Sequence, residues 1–282
     1  MHIKLSNKKL TAEINSVGAE LVSFSSGFTN YIWEVDDAFW NKTSPILFPI
    51  VGRLKNDTYQ IVDKQYQLPR HGFARNFDFK ILEKKEDYVV FSLNENQETF
   101  KSYPFAFELQ VCYLLTEESL EIKYCVKNNT NDKMPFSLGA HPAFKINSNL
   151  EKYEIVFDNN SQLETHELEN EQFSGKSRTI NLKNNTLRLS YSLFEKDALV
   201  FKNIESRNLT FFENGNPYLK IHLGNFPHLG IWTKANAPFL CIEPWFGYAD
   251  TSTSNGKLFE KEAIQILQPN EKFECSFTIE IL

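Results

Sequence analysis

Apolar and polar residues alternate along several stretches of this chain, and this period of two is its dominant pattern. Between Leu120 and Lys127 every second residue is apolar and most of the others are charged, and the C-terminal stretch from Phe273 to Ile281 repeats the arrangement. Because successive side chains of a β-strand point to opposite faces, the alternation predicts strands with one buried face. Further strands are predicted at Tyr88–Leu93, Phe107–Leu115, Ala198–Phe201, Leu209–Phe212 and Leu219–Leu223.

Turn-forming residues separate these stretches. Thr116-Glu117-Glu118-Ser119 is predicted to join two strands as a hairpin, and Asn-rich runs follow at 128–132, 158–160, 184–185 and 214–216. Asn tolerates the left-handed backbone conformation of tight turns. No long window has the apolar period of a helix, so the chain is predicted to be all-β, a single large antiparallel β-sandwich.

The domain organisation is expected to be simple. No Gly/Ser-rich or Pro-rich linker, low-complexity tract or internal repeat divides the chain, so we expect residues 1–282 to form one domain. The most polar segment, from Glu164 to Asn185, is predicted to be a solvated excursion between strands rather than an acidic binding tail.

Composition and charge narrow the function classes. The 282 residues carry a net charge of −6, which argues against nucleic acid or an acidic membrane as a partner. The start has no apolar signal region, and no stretch approaches the ~18 consecutive apolar residues of a membrane span. The 4 Cys include no C-x-x-C pair, so we expect reduced core thiols in a cytoplasmic protein.

Three short segments carry the candidate chemistry. They are His71-Gly72-Phe73, His141-Pro142-Ala143-Phe144 and Glu243-Pro244-Trp245-Phe246-Gly247, and each places one proton-transfer group beside Gly or Pro and an aromatic residue. Two imidazoles and a carboxylate can supply an acid and a base that act on one substrate from opposite sides. The adjacent aromatics suit a sugar, whose C–H faces pack on rings.

Each candidate also has a structural interpretation. His141 precedes Pro142, which favours extended geometry and an irregular point in the sheet, but a lone His is often a core residue bonded to a carbonyl. Glu243 ends the apolar run Phe239–Ile242, where burial would raise its pKa toward that of a general base, unless it forms a salt bridge. We favour function for both, with Trp245 as a wall of a sugar pocket.

Charged residues near these segments are candidates for substrate binding. Arg70 and Arg75 flank His71, and arginine can donate two hydrogen bonds in one plane to vicinal hydroxyls or a phosphate. A charged surface loop is equally plausible for Arg70 alone. Arg53 follows an apolar run, and Asp197 precedes one, so both are predicted at strand ends, where Asp197 could equally be a simple turn residue.

The chain lacks the common nucleotide, dinucleotide, zinc-protease and serine-hydrolase motifs. Over nearly its whole length it resembles the aldose 1-epimerase (galactose mutarotase) family, in particular the LacX-like branch. The resemblance rests on an ordered set: Gly52-Arg53, His71-Gly72-Phe73, His141-Pro142-Ala143-Phe144, Asp197 and Glu243-Pro244-Trp245.

The resemblance implies a galactose mutarotase-like supersandwich and an isomerase that interconverts the α and β anomers of a hexose or hexose phosphate. By the same resemblance, Glu243 is the general base and His141 the general acid, while Arg53, His71 and Asp197 hold the sugar. No cofactor and no metal are implied. The loop after Arg53 departs from that of the better-known mutarotases, so the preferred sugar stays open.

Other interpretations remain at this point. Arg75 is a candidate phosphate contact or a salt bridge at the cleft rim. The same scaffold could serve a non-catalytic carbohydrate-binding or sugar-sensing protein. His71, His141 and Glu243 could form a metal site of two histidines and a carboxylate. The expected partner is a small sugar or sugar phosphate, and the protein is expected to be a monomer or a homodimer.

Overall fold

A computed structural model describes all residues from 1 to 282, and strands form where the sequence alternates. In the strand Phe107–Leu115 buried and half-buried residues alternate without interruption, and Ser119–Asn128 behaves similarly. The strands in chain order are β1 (His2–Ser6), β2 (Leu10–Asn15), β3 (Glu20–Ser26), β4 (Thr29–Asn30), β5 (Ile46–Leu47), β6 (Thr58–Ile61), β7 (Lys64–Gln67), β8 (Lys80–Lys84), β9 (Tyr88–Asn94), β10 (Phe107–Leu115), β11 (Ser119–Asn128), β12 (Met134–Phe136), β13 (Leu138–Ala140), β14 (Ala143–Lys145), β15 (Tyr153–Phe157), β16 (Gln162–Glu169), β17 (Gln172–Asn181), β18 (Thr186–Arg188), β19 (Leu199–Phe201), β20 (Asn208–Glu213), β21 (Asn216–His222), β22 (His228–Trp232), β23 (Phe239–Phe246), β24 (Gln265–Leu267) and β25 (Lys272–Ile281).

Helical structure is minor. One short α-helix, α1, spans Thr99–Ser102, and single 3₁₀ turns lie at Lys55–Asp57, Ala74–Asn76, Leu150–Lys152, Tyr191–Phe194 and Leu258–Glu260. No helix of this fold has both the length and the apolar character needed to cross a membrane.

Two large antiparallel sheets form the body of the fold. One has nine strands in the order β18-β15-β20-β21-β25-β11-β10-β9-β8, and the other has eight strands, ordered β17-β16-β19-β22-β23-β13-β5 with β14 also paired to β23. Their facing sides share a cluster of 67 buried residues, to which Val111 and Tyr124 contribute from the first sheet and Ile231 and Ile242 from the second. This packing is the predicted antiparallel β-sandwich.

Smaller sheets complete the fold. Strands β1 to β4 form a four-stranded N-terminal sheet, and β6-β7 and β12-β24 are two-stranded pairs. The Tyr113 hydroxyl on β10 donates a 2.8 Å hydrogen bond to the carbonyl of Ala19, which ties the N-terminal sheet to the nine-stranded one.

The predicted strands and turns are confirmed in detail. β10 has the predicted bounds, and Leu115 pairs with Leu120 across the predicted hairpin turn. Asn214 lies at φ 51° and Gly215 at 77°, as a tight turn between β20 and β21 requires.

The prediction for the segment from Glu164 to Asn185 was wrong. This segment forms most of the hairpin of β16 and β17 at one edge of the eight-stranded sheet. Within β17, the stretch from Gly175 to Arg178 is largely exposed on both faces, so no alternation of buried and exposed residues marks it as a strand. Pairing with β16 satisfies its backbone instead, which a local pattern cannot reveal.

Candidate functional site

Strand β23 lies inside the eight-stranded sheet and carries the central residues of the site. Its Leu240 and Ile242 belong to the large core cluster between the sheets. Because side chains alternate along a strand, Cys241, Glu243 and Trp245 point to the opposite face. That face lines a cleft, and only 1% of Glu243 is exposed there.

His141 reaches Glu243 from the turn between β13 and β14. Ala143 pairs with Cys241 in the β14-β23 ladder, and this register places the turn beside the carboxylate. The Nε2 atom of His141 lies 3.1 Å from Oε2 of Glu243, with 8% and 2% of the two side chains exposed. The acid and base candidates therefore lie side by side, rather than on opposite sides of a substrate.

The His141–Glu243 contact leaves polar atoms available. His141 Nδ1 and Glu243 Oε2 are buried without a hydrogen-bond partner, and the contact of Glu243 Oε2 with His141 Nε2 lacks the alignment of a hydrogen bond. Buried polar atoms are usually paired, so such atoms at a cleft are candidates for contact with a ligand.

Burial reverses the usual order of the two proton affinities. Loss of hydration lowers the pKa of His141 to about 3, and the nearby Arg70 charge contributes. Loss of hydration raises the pKa of Glu243 well above its ordinary value, and the charge of Asp197 adds to this while Arg70 opposes it. Each shift disfavours the charged form of a group taken out of water.

His71 is held in a fixed orientation by the backbone of a neighbouring loop. Its Nδ1 accepts a 3.0 Å hydrogen bond from the Gly52 N–H, so the ring proton resides on Nε2. Its ring centroid lies 5.7 Å from that of His141. The next residue, Gly72, packs directly on the backbone, because a Cβ there would overlap the carbonyl oxygen of Phe48.

The cleft has a volume of about 180 Å³ and aromatic walls. Trp40 lies against the His141 ring at 4.9 Å between centroids, and Trp232 meets it edge-on at 5.9 Å. The Trp245 indole lies over neighbouring strands where only glycine fits, since a Cβ on Gly230 would lie 2.5 Å from the indole ring. Flat rings around a few polar groups form the kind of site that binds a sugar ring.

The charged wall of the cleft contains Arg70, Arg75 and Glu171. Glu171 forms salt bridges with Arg70 and with Arg53, so the tip of the β16-β17 hairpin is fastened over this side of the cleft. Arg75 has no carboxylate partner, and its Nη2 donates a 2.6 Å hydrogen bond to the Arg70 carbonyl.

The structure brings most of the predicted site residues together. His71, Arg75, His141, Glu243 and Trp245 all line the cleft.

Arg53 and Asp197 do not line it. The Arg53 guanidinium is held by both carboxylate oxygens of Asp57, at 2.8 and 2.7 Å, and by Glu171. Asp197 Oδ1 accepts a 2.7 Å hydrogen bond from the N–H of Ala198, which does line the cleft. Neither side chain therefore presents its hydrogen-bonding groups directly to the cavity.

Sequence analysis missed several further lining residues, among them Trp40, Glu171, Phe173 and Trp232. Trp40 and Trp232 lie outside the three segments in which it searched for candidate residues. Glu171 and Phe173 lie in the segment that was predicted to be a solvated excursion. No local pattern distinguishes them from surface residues.

The side chains nearest to metal-site geometry differ from the hypothesised set. One ligand atom from each of His141, Cys241 and Glu243 lies within 4.8 Å of the others. His71 is not a member, and its Nδ1 is occupied by the Gly52 N–H.

Known proteins share the sequence pattern and the fold of this chain. Residues 1–265 match the family described as aldose 1-epimerase. The chain is 35% identical to the chromosomal protein LacX of Lactococcus lactis subsp. lactis over 302 aligned positions, covering 100% of both chains. A galactose mutarotase related enzyme from Lactobacillus acidophilus superposes with a TM-score of 0.95 at 30% identity, over 100% of this chain and 97% of that one. A galactose mutarotase-like protein from Lactobacillus casei ATCC 334 also gives 0.95 at 30% identity, over 100% of both. The chain belongs to the aldose 1-epimerase family.

Proposed function

We propose that this protein is an aldose 1-epimerase that interconverts the α and β anomers of a hexose or a hexose phosphate. The observation that carries the proposal is the contact between His141 and Glu243, two proton-transfer groups 3.1 Å apart at the wall of an aromatic cleft. The family membership and the match to mutarotase-related proteins support the same reaction class.

The side-by-side placement suits the two oxygens on which the reaction depends. In a cyclic sugar the ring oxygen and the anomeric hydroxyl are both bonded to C1, so an acid and a base that serve them must be neighbours. Glu243 takes the proton of the anomeric hydroxyl while His141 gives a proton to the ring oxygen, and the bond from C1 to the ring oxygen breaks. Rotation about C1–C2 and reclosure with the roles reversed deliver the other anomer.

The electrostatics of the pair determine which protonation form must react. Burial lowers the pKa of His141 and raises that of Glu243, so in the empty cleft both groups are neutral and the proton lies on Glu243. The reactive form has the proton on His141 and the charge on Glu243, and it is the less populated form. The attraction between the two adjacent opposite charges reduces the free energy needed to reach it.

The surrounding residues are proposed to hold the sugar. The Nε2–H of His71, fixed by the Gly52 backbone, is positioned to donate a hydrogen bond to the oxygen that develops charge. Trp245 offers a flat surface for the sugar ring. Arg53 is proposed to act through Glu171, which it holds in place, and Asp197 through its charge, which favours the protonated form of Glu243.

Arg75 supports a phosphorylated sugar as a substrate. Arg70 is already neutralised by Glu171, whereas Arg75 faces the cleft without a carboxylate. Its remaining N–H groups can donate charge-assisted hydrogen bonds to phosphate oxygens. The alternative, a neutral hexose such as galactose, needs no such partner.

Anomer exchange measured by polarimetry and by NMR tests the proposal. Chelator-treated protein is assayed with galactose, glucose and their 6-phosphates, with Glu243→Gln as the inactive reference. We expect acceleration of at least one sugar and none with the variant. If folded protein accelerates no sugar but calorimetry detects sugar binding, the non-catalytic carbohydrate-binding function takes its place.

A further inference from the structure

Cys241 is a buried thiol beside the proton-transfer pair, and the proposed reaction does not use it. It lies two residues before Glu243 on β23, so both side chains leave the same face of the strand. The neighbouring β14 pairs Ala143 with Cys241, which places the His141 turn next to the thiol. An imidazole, a thiol and a carboxylate therefore lie together where β14 pairs with β23.

The three side chains are close enough to share one ion. One ligand atom from each of His141, Cys241 and Glu243 lies within 4.8 Å of the other two. All three residues are buried, and Cys241 is a free cysteine. His141 Nδ1 and Glu243 Oε2 have no hydrogen-bond partner, so no strong interaction has to be broken before a ligand binds.

We propose that His141, Cys241 and Glu243 form a binding site for a single Zn²⁺ ion, and that the ion reversibly inhibits the enzyme. One nitrogen, one sulfur and one oxygen ligand suit zinc, which accepts all three and often keeps a fourth position open. Magnesium and calcium prefer oxygen ligands alone, so they are expected to bind this set poorly.

The protonation states determine how the ion binds. Zinc coordinates a neutral imidazole, a thiolate and a carboxylate, so the Cys241 thiol gives its proton to the solvent when the ion binds. No oxidant or reductant takes part, and zinc is expected to bind more tightly as the pH rises.

Inhibition follows from which residues the ion occupies. His141 and Glu243 line the cleft, whereas Cys241 does not, so an entering ion meets the proton-transfer pair first. With both groups coordinated, no base remains for the anomeric hydroxyl. The inhibitory effect rests on the proposed epimerase function, but the binding of the ion does not.

The test compares two buried cysteines. Cys241→Ser removes the proposed sulfur ligand, and Cys275→Ser is the matched control, because Cys275 is 5% exposed on β25 in the nine-stranded sheet. Isothermal titration with ZnCl₂ measures binding, and Co²⁺ titration reports a thiolate bond by its ligand-to-metal absorption. The anomer exchange rate is followed in the same zinc series, with recovery by chelator. Cys241→Ala is the second variant if the serine variant does not fold.

We expect one zinc per chain in the parent protein and in Cys275→Ser, with loss of activity that chelator restores. In Cys241→Ser the affinity should fall by more than about tenfold, since loss of a direct ligand exceeds the effect of losing an outer partner. Equal zinc affinity in Cys241→Ser, or no thiolate absorption with Co²⁺ in the parent, would overturn the site. Zinc binding that depends on Cys241 in a protein without any epimerase activity would uphold the site and reject the proposed function.

Discussion

Two buried pairs of ionisable residues in this fold are built differently. Lys261 and Asp250 form a 2.7 Å salt bridge with 3% and 4% of their side chains exposed, and the second Asp250 oxygen accepts the Lys55 N–H at 3.0 Å. His141 and Glu243 are similarly buried at 3.1 Å, yet each keeps a polar atom without a hydrogen bond. The carboxylate oxygens of Asp250 are hydrogen-bonded within the protein, whereas polar atoms of His141 and Glu243 have no partner at the cleft.

The difference separates a structural pair from a reactive one. A buried salt bridge whose remaining oxygen is also hydrogen-bonded holds its segments together, and removal of one partner leaves an uncompensated charge. A buried pair with unmet hydrogen bonds lowers stability, which proteins accept where function requires it. A half-buried pair of the same residue types, His222 and Glu280 at 2.6 Å, provides a reference outside both sites.

The largest expected effect is on catalysis. Glu243→Gln removes the base, and His141→Asn removes the acid, so each should reduce the anomer exchange rate by about 10²- to 10⁴-fold, the usual contribution of a general acid or base. Circular dichroism should report a folded protein. Glu280→Gln, which breaks the half-buried His222–Glu280 pair, is the matched control and should keep the parental rate. Near-parental activity in either site variant would show that the acid and base lie elsewhere.

Breaking the structural pair, Lys261 and Asp250, should affect stability rather than the catalytic rate. Asp250→Asn leaves the Lys261 charge buried without a partner, so the free energy of unfolding should fall by about 3–5 kcal/mol in chemical denaturation. The exposed Lys272–Glu274 pair is the comparison, and Glu274→Gln there should cost less than about 1 kcal/mol. Equal losses in the two variants would mean that the Lys261–Asp250 bridge contributes no more than a surface pair.

A smaller effect concerns substrate choice at the cleft rim. Arg75→Ala removes the cleft guanidinium that has no carboxylate partner, so kcat/KM for a hexose 6-phosphate should fall by about tenfold or more, the size of one charge-assisted contact. The same constant for the unphosphorylated hexose should change little. Arg188→Ala, on the exposed edge strand β18, is the control. Equal losses with both sugars would count against a phosphate contact.

The smallest effect is a pH-dependent change in stability. The folded-state pKa of Glu243 is raised above its ordinary value of 4.5, so the folded protein keeps a proton that the unfolded chain releases. The stability of the parent therefore declines as the pH rises above 4.5 and through the folded pKa. Gln does not titrate, so Glu243→Gln should be more stable at pH 8, by an amount on the order of 1 kcal/mol.

Denaturation midpoints of the parent and Glu243→Gln from pH 4 to 8 measure this change. His141, whose pKa is lowered to about 3, makes both proteins less stable toward acid pH. The difference in midpoint between the two proteins at each pH therefore contains little of its contribution. A variant that is less stable than the parent at every pH would show that the carboxylate is paired rather than strained.

The regular part of the fold was predictable because alternation is a local property of a strand. β10 and β11 have an uninterrupted apolar face, and their bounds follow from it. The β16-β17 hairpin has no such face over most of β17, and the sequence analysis therefore missed it. Its strands are held by pairing with each other, which no short window of sequence records.

The site was predictable as a set of residue types, but not as a geometry. His71, His141 and Glu243 stood out because each is a proton-transfer group beside Gly or Pro and an aromatic residue. The expected strand end and the family resemblance placed Arg53 on the substrate, whereas its guanidinium is occupied by Asp57 and Glu171. Glu171 is 118 positions away from Arg53 along the chain, so their pairing is beyond any local pattern.

The sequence by itself determined the β class, the regularly alternating strands such as β10 and β11, the family and the candidate acid and base, since these follow from local periodicity and from short motifs. Only the tertiary structure decided that His141 and Glu243 lie side by side, that Cys241 joins them, and that Glu171 closes the charged wall. The physical reason is that these contacts depend on the register between strands and on the approach of distant loops. Both are set by packing of the whole core rather than by neighbouring residues.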